Sequence, residues 1–138
     1  MAEVLSAVRT YILSRPTVTD LIGQRMYFDR LKQKAQLPAC TISRVSETHD
    51  HTISNRSGMV WTRLQIDCYS LNRLTTADIA ETIYRCGIAA VKGVTNGLNI
   101  RGVDVEDGRR DYTIDDAKGG DDHVYVTQFD LRVCYLES

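Results

Sequence analysis

Two segments of the chain alternate between apolar and polar residues with a period of two. Between Trp61 and Tyr69 the apolar residues fall on one side, and the segment from Gln128 to Tyr135 repeats the arrangement. Because successive side chains of a strand point to opposite faces, both segments are predicted to be half-buried strands. One face is expected to cover a core. The other would present ordered polar groups, namely Trp61, Arg63, Gln65, Asp67, Tyr69, Gln128, Asp130 and Arg132.

Apolar residues at helical spacing predict three helices. The first begins near Val4 and is closed by Pro16, because proline cannot continue the hydrogen-bond ladder. A short second helix spans 17–23 and stops at glycine. The strongest begins at a capping sequence from Thr75 to Asp78 and continues to Gly93.

Short extended segments surround these helices. Strands are predicted at 25–28, 39–45, 59–70, 98–105 and 123–136, with a further short one at Ile114. Polar turns separate most of them, which favours antiparallel pairing. The sequence therefore predicts a single α+β domain over residues 1–138, with a mainly antiparallel sheet and helices packed on one face.

Composition and charge argue against nucleic acid and membranes as binding partners. The 138 residues carry a formal net charge of −1, which argues against a sequence-specific nucleic-acid binder. No apolar stretch is long enough to span a bilayer, and the N-terminus lacks the pattern of a signal peptide, so we expect no membrane association and synthesis in a cytoplasm. The four cysteines are expected to be buried, reduced thiols.

Three polar segments are candidate docking loops, since loops carry many binding contacts. They are the basic stretch 30–36, the polar stretch 46–58 and the acidic stretch 115–122. The candidate residues are Arg30, Lys32, Lys34, His49, Asp50, His51, Arg56, Asp115, Asp116, Asp121 and Asp122. The 46–58 stretch is either an exposed loop or the tip of a long hairpin.

Chemistry at these loops has little support in the sequence. His49-x-His51 and Asp121-Asp122-His123 lack the spaced partners of a zinc site, and the aspartates lack the ligand order of an EF-hand. No nucleophile elbow, phosphate loop or dinucleotide fingerprint is present. We therefore expect no enzyme, no metal and no cofactor; a small metal- or ligand-binding module remains the alternative.

The polar strand face has two interpretations. It is either the solvent side of an ordinary antiparallel sheet or a contact surface for other proteins. Exposed ion pairs across such a face contribute only about 0.2–1 kcal/mol each, so fold stability does not require the pattern. Trp61 and Tyr69 favour the contact surface, because large aromatic residues are enriched in interfaces.

Several short motifs, in this order, resemble the tail completion family of long-tailed bacteriophages, and together they span nearly the whole chain. They are Val18 to Tyr27, Leu37-Pro38-Ala39, Arg44-Val45-Ser46, Asp50-His51, Arg63 to Tyr69, the helix from Thr75, Gly102-Val103, Asp111-Tyr112 and Phe129 to Val133.

The resemblance implies a structural virion protein, a tail terminator or head-to-tail joining protein. Such proteins form a ring, commonly sixfold, that caps the tail tube and docks to the head connector. The implied partners are further copies of this chain, the tail tube protein and the connector protein. The implied location is the tail or neck of the virion, after assembly in the host cytoplasm. Ring closure needs two different patches on each subunit, which the strand face and the loops could supply.

Overall fold

The computed structural model describes residues 3–31, 35–51, 56–86, 92–95, 97–106, 108–115 and 123–136. At residues 50, 51, 56, 57, 95 and 115 it describes the backbone alone. The elements in chain order are α1 (Val4–Leu13), α2 (Pro16–Ile22), β1 (Met26–Phe28), β2 (Ala39–His51), β3 (Arg56–Ser70), α3 (Arg73–Tyr84), β4 (Gly93–Thr95), β5 (Leu98–Val105), β6 (Arg110–Asp115) and β7 (His123–Leu136).

The strands form one sheet in the order β1-β2-β3-β7-β5-β4. Both β5 and β6 pair with β7, β5 along its C-terminal half and β6 along its N-terminal half. Among the described strands, β1 and β2 run parallel and the other pairings are antiparallel. The predicted α+β class with a mainly antiparallel sheet is confirmed.

The long central strands β3 and β7 are direct neighbours. Their antiparallel register runs from Met59 opposite Leu136 to Ser70 opposite Tyr125. Ile66 lies opposite Phe129 on one face, and Gln65 lies opposite Asp130 on the other. The alternation read from the sequence therefore describes both strands, and the two polar rows form one continuous surface.

The apolar face of the sheet carries the core. Leu64, Ile66, Phe129 and Leu131 are at most 1% exposed. They belong to one apolar cluster with side chains of all three helices, among them Val8, Ile12, Val18, Ile22, Ile79 and Ile83. Burial of each such side chain stabilises the fold by about 1.5–3 kcal/mol, so this face supplies most of the stability.

Several helix boundaries differ from those read in the sequence. Pro16 begins α2, because the first helical position needs no backbone donor. Asn72 caps α3 by accepting a hydrogen bond from the Leu74 backbone nitrogen at 2.9 Å, so the predicted cap at Thr75 lies inside the helix. The prediction that this helix continues to Gly93 is wrong, because α3 ends at Tyr84 with Arg85 as its C-cap. Residues 87–91 lie outside the described residues, and Gly93 begins β4.

Residues 46–51 and 56–58 of the polar stretch belong to two paired strands, and residues 52–55 lie outside the described residues. Strand β2 continues to His51, which pairs with Arg56 of β3. The sequence allowed either a loop or a hairpin tip here. Residues 46–48 are all exposed, so neither face of the strand needs apolar side chains here and the period-two alternation is lost. The backbone pairing with β3 nevertheless continues. A register shift between Arg44 and Ser46 leaves Val45 more than half exposed.

The four cysteines are free thiols and all are buried, as expected. In Cys68, the hydrogen bond with Cys40 and burial raise the thiol pKa well above its usual value. Within the described part of the chain, no helix is both long enough and apolar enough to cross a membrane.

Candidate interaction surface

The polar face of the sheet is built by β2, β3, β7 and β6, and its centre is a buried carboxylate. Asp67 accepts hydrogen bonds from Gln65 Nε2 at 3.3 Å, Tyr69 Oη at 3.3 Å and Tyr112 Oη at 3.4 Å. Asp67 is 8% exposed and Tyr69 is 9% exposed. Burial, with the charge of Asp67, raises the pKa of Tyr112 to about 12.

This burial alters the set of candidate contact residues. Asp67 and Tyr69 were predicted from alternation alone to be available to a partner, but within the single chain other polar side chains already cover them. Within the chain they link neighbouring strands, since Tyr69 Oη lies 3.4 Å from Thr41 Oγ1 of β2 and Asp67 accepts from Tyr112 of β6. The contact role of the other residues stays a prediction.

A row of ion pairs crosses the strands beside this centre. Arg63 of β3 lies 3.3 Å from Asp130 of β7 and 3.4 Å from Glu106, which follows β5. Asp130 also pairs with Arg110 of β6 at 3.0 Å, and Arg110 Nε donates to Gln128 Oε1 at 2.7 Å. The row joins four segments of the chain across the sheet.

At the hairpin end of the face, the guanidinium group of Arg132 lies 4.5 Å from the ring centre of Trp61. Arg63 and Arg132 occupy directly paired positions of β3 and β7. Both arginines line an open concavity of about 330 Å³. Its remaining lining is Ser46, Thr48, Trp61 and Thr62.

On the other side of the hairpin, Glu47 gathers several partners. Tyr135 Oη donates to it at 3.0 Å, Thr62 Oγ1 at 3.3 Å, and His49 Nε2 lies 3.4 Å away. Partial burial alone would raise the Glu47 pKa, but the hydrogen bond from Tyr135 and the charges of Arg44 and His49 outweigh it, so the pKa is lowered.

Sequence reasoning missed Glu47, Glu106, Arg110 and Tyr112. Arg110, Tyr112 and Ile114 are spaced two residues apart along β6. Period-two alternation could therefore have placed them on one face of the strand. Glu47 and Glu106 carry no comparable signal, because their partners come from strands distant in sequence.

Among the predicted docking residues, the structure describes the side chains of Arg30 and His49. Arg30 is exposed, and His49 contacts Glu47. Lys32, Lys34, Asp116, Asp121 and Asp122 lie outside the described residues, and only the backbone is described for Asp50, His51, Arg56 and Asp115. Within the described ranges, no group of three or more histidine, cysteine, aspartate or glutamate residues is arranged to hold a metal ion.

Comparison with solved structures finds the same fold in a chain of a gene transfer agent particle. A chain of the "Virion of native gene transfer agent (GTA) particle" matches with a TM-score of 0.64. The match covers 95% of this chain and 93% of that chain, at 13% sequence identity. This likeness shows a shared fold. No protein-family model matches the chain, and no curated protein matches it significantly in sequence.

Proposed function

We propose that this chain is a structural subunit of a phage-like virion, and that it completes the tail as a tail terminator or head-to-tail joining protein. The observation that carries the proposal is the shared fold, because the match to a chain of a gene transfer agent virion extends over 95% of the residues. The ordered motifs of the tail completion family support the same assignment.

The proposed assembly is a ring of identical subunits, with six as the expected number. The ring caps the tail tube protein on one side and docks to the head connector protein on the other, so the protein resides in the tail or neck after assembly in the host cytoplasm. The polar face is suited to this role, because ion pairs join its charged side chains across β3, β6 and β7.

The protein acts in this proposal by contact alone, without catalysis or a cofactor.

Electron microscopy of the purified protein, with and without tail tubes, tests the proposal. We expect rings in solution or rings seated at one end of the tubes. Particles made without the protein should contain tails that are uncapped or unattached to heads. Tails that cap and join normally in its absence, or a metal-loaded monomer that ignores tubes, would contradict the proposal and favour the small-ligand module.

A further inference from the structure

The polar face contains two like charges at directly opposed positions. Arg63 of β3 and Arg132 of β7 are paired in the sheet register, and like charges in such positions are destabilising. Arg63 is compensated, because Asp130 and Glu106 lie 3.3 Å and 3.4 Å from its guanidinium group. The second arginine therefore adds repulsion to the single chain.

Arg132 is exposed and lacks comparable compensation. Asp104 occupies the position paired with it on β5, yet among the described residues no carboxylate lies within 4 Å of the Arg132 guanidinium group. This group lies 4.5 Å from the ring centre of Trp61. An aromatic ring attracts a guanidinium group without neutralising its charge. One oriented positive charge therefore remains available to a partner.

The concavity lined by Arg132 and Trp61 supplies further hydrogen-bond donors. Its six lining residues are two arginines, three hydroxyl side chains and a tryptophan, with no acidic residue among them. Ser46 and Thr48 are exposed there, so their hydroxyl groups can donate to a bound oxygen atom. Arginine binds a carboxylate through two parallel, charge-assisted hydrogen bonds. The concavity therefore fits a carboxylate that stands next to an apolar side chain able to contact Trp61.

The acidic residues around the concavity favour a protein segment over a nucleic acid. Glu47 accepts a hydrogen bond from a lining threonine at 3.3 Å, and Glu106 and Asp130 pair with Arg63. A nucleic-acid backbone would bring several phosphates close to these three carboxylates, and such contacts between like charges oppose binding. A single carboxylate needs only the charge of Arg132.

The described part of this chain offers no matching segment to a second copy. Its exposed carboxylates outside ion pairs are those of Asp20, Asp29, Asp78 and Asp104. Three of them precede an apolar residue that packs in or against the core, namely Leu21, Ile79 and Val105. The ring of Phe28, beside Asp29, is already contacted by Arg9. The partner is therefore expected to be a different protein.

We infer that the Arg132–Trp61 concavity binds an acidic segment of a neighbouring virion protein, with a carboxylate on Arg132 and an apolar side chain beside Trp61. The inference rests on the proposed function for the identity of this neighbour as a virion protein, and it adds the chemistry of the contact. Tryptophan and arginine commonly carry most of the binding energy of an interface, so the concavity is expected to lie at the centre of the contact.

Peptide binding tests the site outside the particle. The probe is the blocked peptide acetyl-Glu-Leu-Glu-amide, and its uncharged match is acetyl-Gln-Leu-Gln-amide. NMR titration follows the Arg132 Nε–H and Trp61 indole N–H signals. We expect saturable shifts of both signals with the acidic peptide. The uncharged peptide should bind about tenfold more weakly, because the charge-assisted hydrogen bonds are lost.

Variants assign the effect to one arginine. Arg132→Gln should weaken binding of the acidic peptide about tenfold. Arg63→Gln should weaken it only about threefold, since Arg63 already has two carboxylate partners. The matched control is Arg15→Gln, which removes an exposed arginine lying 5.8 Å from the Tyr11 ring on the helical layer and should bind like the wild type. Circular dichroism confirms that each variant is folded.

Equal binding of the two peptides, or unchanged binding by Arg132→Gln, would overturn the inference. Tighter binding of a single-stranded oligonucleotide at the same NMR signals would overturn it in favour of a phosphate site.

Particle assembly separates this inference from the proposed function. Arg132→Glu should leave rings of the purified protein intact and weaken their docking to tail tubes or head connectors about 100-fold, because like charges then meet. Loss of the rings themselves would make a second copy the occupant and overturn the inference. Wild-type rings that cap tails but ignore the acidic peptide would refute the contact alone. Wild-type protein that binds the peptide but neither tubes nor connectors would refute the proposed function and leave the carboxylate site standing.

Discussion

The apolar and polar faces of β3 and β7 consist of alternate residues on the same two strands, yet they are packed differently. On the apolar face, Ile66 and Phe129 meet the helices in a region closed to water. On the polar face, Asp67 is buried and accepts hydrogen bonds from neighbouring side chains. Arg63 on the same face is half-buried and Arg132 is exposed. The first face sets the stability of the fold. The polar face contributes little to stability, so its residues can be selected for contacts with other proteins.

Truncation of the largest buried side chain should separate the two faces most clearly. Phe129→Ala is expected to lower the free energy of unfolding by about 3–5 kcal/mol, because it leaves a cavity opposite Ile66 under the helices. Urea denaturation followed by circular dichroism measures the change. Gln128→Ala, one position away on the polar face, is the matched control and should cost less than about 1 kcal/mol. Equal losses would show that both faces carry the fold.

An intermediate effect is expected at the buried carboxylate. Asp67→Ala leaves Gln65, Tyr69 and Tyr112 without their shared acceptor and should cost about 1–3 kcal/mol in chemical denaturation. Asp67→Asn retains an acceptor oxygen and the side-chain shape, so its cost should be smaller. If asparagine is as damaging as alanine, the negative charge matters more than the hydrogen bonds.

A small effect is expected from the exposed ion pairs. Arg63→Gln removes the pairs with Asp130 and Glu106, but Asp130 keeps Arg110, so the loss should be about 0.2–1 kcal/mol. The same denaturation experiment in about 1 M salt should reduce the difference, because exposed charges are screened. A loss above about 2 kcal/mol, unchanged by salt, would place Arg63 among the residues that determine the fold.

The weakest test concerns protonation at the centre of the polar face. Tyr112 should titrate near pH 12, because burial and the charge of Asp67 oppose its ionisation. Its stabilising contribution is therefore complete below the usual tyrosine pKa of about 10 and is lost as pH rises towards the folded value. NMR titration of the Tyr112 ring carbon measures this. Asp67→Asn should lower the pKa only partly, since burial is the larger cause; titration near pH 10 would contradict the network.

The sequence revealed the central pair of strands well because alternation in 61–69 and 128–135 is strong. The bounds of β5 and β7 were also read correctly from their apolar residues and turns. The start of α3 was misplaced because Asn72 and the threonines offer competing caps. The parallel pairing of β1 was missed because three residues carry no directional signal.

The polar face was harder to predict than the strands that bear it. Alternation assigns Asp67 and Arg63 to the same side, but it does not reveal that Asp67 is buried with a hydrogen bond from Tyr112 while Arg63 is only half-buried. That difference in burial depends on β6 pairing with the N-terminal half of β7. The sequence of β6 alone does not show which strand it will pair with. Depth of burial on one face is therefore a property of the assembled sheet.

The central position of β7 has a consequence for synthesis of the protein. Its partners β3, β5 and β6 all precede it in the chain, and it pairs with β3 along one edge and with β5 and β6 along the other. The ribosome must therefore release residues up to Leu136 before the sheet can close. A chain interrupted earlier lacks the strand that unites the two halves, so prematurely terminated products should remain unfolded and be degraded.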